Sequence, residues 1–167
     1  MYADLVADVE FDLCQLRLVI EESRSQLESA AFAAPTSFEM GALGAVLQSL
    51  YNGIETVLRK LVLRLDGGLP EGDAWHRDLL EQAGTATAVR CPVLSAELRS
   101  LLQEYLEFRH FFRRTYSFHY RWERMAHLVT GCEDALAAFD GEVRLFLTSL
   151  CGATPPPSTL PRSGSLP

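Results

Sequence analysis

The stretch YADLVADVEFDLCQLRLVIEESRSQLESA, Tyr2 to Ala30, decides the fold class. Leu5, Val9, Leu13, Leu16, Ile20 and Leu27 recur at helical spacing and trace one stripe of a first long helix, roughly residues 2–30. Period-two alternation appears nowhere over a useful length, so strands are not expected. Ala31 to Pro35 breaks the first helix, and a second opens at Thr36 with Glu39 completing a capping box. Gly67-Gly68 and Pro70 stop it after about Asp66. Near its start Gly41, Ala42, Gly44 and Ala45 leave so little bulk that another backbone can approach closely.

Asp73 is placed to cap a short third helix, Ala74 to about Gln82, which carries Trp75 and His76. Ser95 caps a fourth, running to about Phe118, and a last helix is predicted from about Trp122 to Leu150. Its apolar stripe is Leu128, Val129, Cys132, Leu136, Phe139, Val143, Phe146 and Leu150. The expected fold is all-α, an up-down bundle of four long helices plus one short one over residues 1–151. Residues 152–167, rich in Pro, Ser and Gly, read as a disordered tail.

A chain of 167 residues suits one domain with a proper core. Its apolar runs are too short for a membrane span, and no basic-then-apolar leader opens it, so a cytoplasmic protein without membrane attachment is expected. Cys14, Cys91, Cys132 and Cys151 show no metal-ligand spacing, and neither a metal site nor a cofactor is implied. Cys14 and Cys132 read as small hydrophobes on their helices. The acid pairs Glu21-Glu22 and Glu133-Asp134 lack companions for a cation and read as solvated.

A net charge of −7 argues against broad, tight nucleic-acid binding, which needs many phosphate contacts. Yet the positive charge is gathered. Between Arg109 and Arg124 lie Arg109, Arg113, Arg114, Arg121 and Arg124, with His110 and His119 and a single acid, Glu123. At about 100° per residue, Phe108, Phe111, Phe112, Thr115 and Phe118 fall on one side of the fourth helix. Arg109, Arg113 and Tyr116 fall on the other, with His110 and Arg114 on the adjoining flank. Leu102 and Leu106 lie near that polar side, where a second copy of the chain would cover them. Guanidinium groups beside imidazole and phenol suit phosphate binding and acid–base chemistry on a phosphodiester. A solvated face paired to neighbouring acids would leave the same pattern.

The segment resembles the signature of HepT-like proteins in the HEPN superfamily, small helical RNases that act as toxins of toxin–antitoxin pairs. Their motif joins an arginine and a polar residue, then three positions and a histidine, often with a tyrosine two residues on. This chain supplies Phe108, Arg109, His110, Arg113 and Tyr116, with Trp122-Glu123-Arg124 downstream. Trp75-His76-Arg77-Asp78-Leu79-Leu80 also resembles a segment of one branch, and the likeness follows helix order over most of residues 1–150. The resemblance implies metal-independent RNA cleavage, a homodimer, and neutralisation by a minimal nucleotidyltransferase antitoxin that attaches AMP to Tyr116. Arg109 would stabilise phosphate, and Arg113 and Arg121 would add RNA affinity.

One departure matters. The motif histidine should stand at position 114, where this chain has Arg114. Arginine stays protonated and cannot serve as a base at neutral pH. Arg114 is then an inactivating change, a natural feature of a module that binds RNA or a partner without cutting, or a residue whose task another histidine has taken. His119 stands at Arg-x4-His spacing from Arg114, and His110 is close by. His76 reads as a structural residue, and His127 has a weaker claim still.

Overall fold

A computed structural model describes residues 2–114 and 120–152. Among the described residues six helices follow in order: α1 (Ala3–Phe32), α2 (Ser37–Asp66), α3 (Trp75–Ala83), α4 (Ala96–Arg114), α5 (Trp122–Thr130) and α6 (Cys132–Gly152). The all-α bundle is as read from the sequence, and no strand occurs among the described residues. The expected tail lies beyond the described residues, as do Tyr116 and His119.

The first stripe forms as its spacing demands: Leu5, Val9, Leu13, Leu16, Ile20 and Leu27 are all buried. At the head of α2 the Thr36 hydroxyl accepts from the Glu39 N–H at 3.3 Å, and the Glu39 carboxylate accepts from the Thr36 N–H at 2.7 Å. That reciprocal pair satisfies two otherwise orphan donors. The far end closes on Gly67, whose φ of 77° is left-handed and unfavourable for a side chain bearing Cβ. α2 is the central element and packs against all five other helices.

The small residues of α2 seat side chains, where a close-lying backbone was expected. A Cβ on Gly44 would stand 2.1 Å from the Phe112 ring, and one on Gly53 would stand 2.3 Å from Leu16. Phe112 also stacks on Phe108 and on Tyr120, with ring centroids 5.7 and 5.0 Å apart. The end of α4 is therefore pinned to α2 through an aromatic column.

Three local expectations are corrected. The last predicted helix is two, α5 and α6, divided at Gly131. Carbonyls in the last turn of a helix lack intrahelical partners, and the Tyr105 hydroxyl donates to one of them, Leu128 O, at 2.9 Å. Asp73 does not cap α3; Ala74 occupies that position without a side-chain hydrogen bond. Cys14 is exposed, whereas Cys132 is buried, and burial pushes its thiol up to about 11. Ser95 does cap α4, its Oγ accepting from Leu98 N–H at 3.1 Å and donating to Glu142 at 2.6 Å.

Leu102 and Leu106 also require correction. Both are buried in the core of their own chain, at 0% and 3% exposure. α4 contacts α2, α3, α5 and α6, so its apolar arc is wider than one stripe. Those leucines give no support to a dimer.

Candidate functional site

Three helices converge on the basic segment. From α2 come Asn52, Glu55 and Arg59, three and four residues apart and hence on neighbouring turns of one face. From the start of α3 come Trp75 and His76, and from the end of α4 come Arg109, His110, Arg113 and Arg114. A cleft of about 390 Å³ opens between α3 and α4, bounded by Gly72, Asp73, Trp75, His76, His110, Arg113 and Arg114.

Arg109 is not on the surface. It is 8% exposed, its Nε donates to Asn52 Oδ1 at 2.7 Å, and its Nη2 lies 3.9 Å from Glu55 Oε1. Its guanidinium carbon sits 5.9 Å from the centre of the Tyr51 ring. Burial and the Glu55 carboxylate together raise the Tyr51 phenol far above its ordinary range, so it stays protonated. The residue expected to grip phosphate is thus already held by its own chain.

His76, read from the sequence as a structural residue, packs between helices and borders the cleft as well. Its Nδ1 contacts Glu55 Oε2, and its Nε2 lies 3.5 Å from Arg109 Nη1. Nδ1 thus faces the carboxylate in close contact, and Nε2 faces the guanidinium more loosely. Trp75 stacks on the ring at a centroid distance of 3.6 Å, and Arg59 lies 5.5 Å from the Trp75 ring on the α2 side. His76 therefore does brace α3 against α2, as a structural residue would. It also lines the cleft.

The second imidazole of the cleft is His110, edge-on to His76 with centroids 5.4 Å apart and planes at 83°. Its Nε2 is buried without a hydrogen-bond partner. Desolvation first, then His76, Arg109, Arg114 and Arg113, hold it below the ordinary histidine range, so it is neutral at neutral pH. Arg113 and Arg114 are exposed and form no ion pair among the described residues. These two, unlike Arg109, have guanidinium groups to offer a ligand.

Arg121 is exposed just ahead of α5 and does not border the cleft. His127 is exposed and pairs with Glu104 at 3.0 Å. Of the acid pairs, Glu21 and Glu133 both pair with Arg24, at 2.6 and 3.3 Å. A second cleft of about 420 Å³ lies at the α1–α2 turn. Its one titratable group is Glu39, already committed to the capping box, so no comparable chemistry is available there. Among the described residues no three His, Cys, Asp or Glu gather as metal ligands, and no helix is long and apolar enough to cross a membrane.

Glu55 carried a signal that spacing analysis passed over. Tyr51, Leu58 and Val62 lie four before, three after and seven after it, all buried, so the acid interrupts an apolar stripe. A carboxylate in that place needs a cationic partner. Here it has two.

A family model for HepT-like protein matches residues 42–150, more than half of the chain, from the first turns of α2 to the end of α6. Neither the curated proteins nor the solved structures contain a match. With an all-α bundle, the basic segment at the end of α4 and this match over most of its helices, the chain belongs to the HepT-like family.

Proposed function

We propose that the chain is the toxin-type subunit of a toxin–antitoxin pair, a ribonuclease that cuts RNA without metal in the cleft between α3 and α4. The observation that carries this reading is His110. It stands one residue after Arg109, is held neutral, borders the cleft, and is flanked by the exposed Arg113 and Arg114. A neutral imidazole can take the proton of a 2′-hydroxyl. Guanidinium groups can hold the phosphodiester and offset the charge that develops on it. Arg114, at the motif-histidine position, is then a phosphate ligand, and His110 supplies the proton transfer that an arginine cannot.

Arg109 acts from beneath. Anchored by Asn52 and Glu55, it fixes the end of α4 and contributes positive potential to the cleft floor. The proposed antitoxin is a minimal nucleotidyltransferase, with Tyr116 as the acceptor of AMP. The modification would bring phosphate charge next to Arg113 and Arg114 and occupy the groups that RNA needs.

A second reading is favoured by one observation: Arg109 is already bonded within the chain and Arg114 replaces the motif histidine. On that reading the protein is a binding module that grips RNA or the nucleotidyltransferase without cutting. Labelled RNA incubated with the wild type and with His110→Gln, Arg114→His and His119→Ala separates the two. Cutting by the wild type that His110→Gln abolishes is the expected result. Cutting gained only in Arg114→His identifies a nuclease disabled at that position, and cutting by no protein favours the binding module. Loss on His119→Ala alone moves the proton carrier to that residue.

A further inference from the structure

We propose that His76, with its ring held by the Glu55 carboxylate, is the second proton carrier of the α3–α4 cleft and protonates the leaving oxygen of the RNA. This rests on the nuclease reading above and adds to it a catalytic group from a different helix, together with its positioning residue.

Glu55 anchors the arrangement. It is a carboxylate at 7% exposure in the stripe of α2, a position where an apolar residue would pack without desolvation cost. One of its oxygens contacts His76 Nδ1 and the other faces Arg109. The contact commits Nδ1 and orients the ring, and it leaves Nε2, which Arg109 Nη1 approaches only loosely at 3.5 Å, as the nitrogen for proton transfer. The carboxylate is also the counter-charge at hand when the ring carries two protons. Trp75 on one face of His76 and His110 at its edge leave little room for the ring to turn. His76 and His110 border the same cleft from opposite elements, with Arg113 and Arg114 beside them. Two imidazoles in different settings, one against a carboxylate and one among cations, are the arrangement by which a single site holds both an acid and a base.

The step balances as follows. His110 takes the 2′-hydroxyl proton while the 2′-oxygen forms its bond to phosphorus. The bond from phosphorus to the 5′-oxygen breaks, its electron pair leaves on that oxygen, and the proton on His76 neutralises it. The products are a 2′,3′-cyclic phosphate and a 5′-hydroxyl end. His110, now charged, and His76, now neutral, return to their starting states by exchange with water. The charged and titratable groups facing the pair are Glu55 and Arg59 from α2, Asp73 and Arg77 from the start of α3, and Glu107, Arg109, Arg113 and Arg114 from α4.

The test measures cleavage of a labelled mixed-sequence RNA by the full chain between pH 5 and 9. His76→Asn keeps an amide near Nδ1 for Glu55 and removes Nε2; thermal melting checks that it folds. The expected result is a bell-shaped wild-type profile, a loss of about 100-fold or more in His76→Asn with one limb gone, and a smaller loss in Glu55→Gln. His76→Gly should regain rate when free imidazole is added, which a merely structural role would not allow. Wild-type rate and both limbs in His76→Asn, beside a dead His110→Gln, overturn the role of His76 and leave the nuclease reading intact. A slow His76→Gly without imidazole rescue also overturns it. A wild type that cuts no RNA at any pH overturns both, and is seen before any variant is made.

Discussion

Among the described residues two arginines lie buried, and they are held in opposite ways. Arg90 spends every donor. Its Nε and Nη2 clasp the two oxygens of Asp66 at 2.8 and 2.6 Å, and its remaining bonds reach the carbonyls of Gln82, Thr85 and Cys91 at 2.9, 3.1 and 3.2 Å. Arg109, barely more exposed, makes one firm bond, to Asn52, and two loose approaches, to His76 at 3.5 Å and Glu55 at 3.9 Å. Burial alone does not distinguish a structural arginine from one at a working site. Completeness of pairing does, because a buried group left partly unpaired is costly and persists where something else requires it.

The strongest challenge to that contrast is to remove each side chain. Arg90→Leu leaves Asp66 buried and charged, and should cost about 3–5 kcal/mol in urea or guanidinium unfolding. Arg109→Leu forfeits one charge-assisted bond and should cost less, about 1.5–3 kcal/mol, while RNA cleavage falls far more steeply than stability. Equal losses at the two positions would erase the distinction. Next, Arg113→Ala with Arg114→Ala should change the free energy of unfolding by under about 0.5 kcal/mol. The same pair should lower the slope of log affinity for RNA against log salt by about one for each charge.

The smallest effect concerns acid. His110 has a folded-state pKa below the ordinary value near 6.5, so the unfolded chain binds more protons in the window just below it. Stability linked to His110 is therefore complete above that value and drains away as pH falls through the lowered one. The unfolding midpoint should drop from pH 7 to pH 5 in the wild type and drop less in His110→Gln. An identical drop in both would place the acid sensitivity elsewhere.

The helices were legible because burial on one face writes itself into spacing, as the α1 stripe and the Thr36–Glu39 cap demonstrate. The division at Gly131 was not, since one glycine inside a helical pattern is usually tolerated. A Cβ there would lie 2.9 Å from His127 O, a contact that only the folded backbone reveals. The site was half legible. Arg109, His110, Arg113 and Arg114 crowd one turn and a half of sequence and drew the eye together. Asn52, Glu55 and His76 reach them only through the packing of α2 and α3 on α4, which periodicity cannot report. The depth of Arg109 was missed for the same reason as that of Leu102 and Leu106: a helix enclosed by four others buries more than one side.

The seat of Phe112 on Gly44 has a consequence for how such a protein can be tuned. A single added methyl at Gly44 of α2 would lift the aromatic column and with it the last turn of α4. Any activity of the cleft would then fall by degrees while the arginines and imidazoles stay untouched, a route to a weakened variant that a search confined to polar positions would overlook.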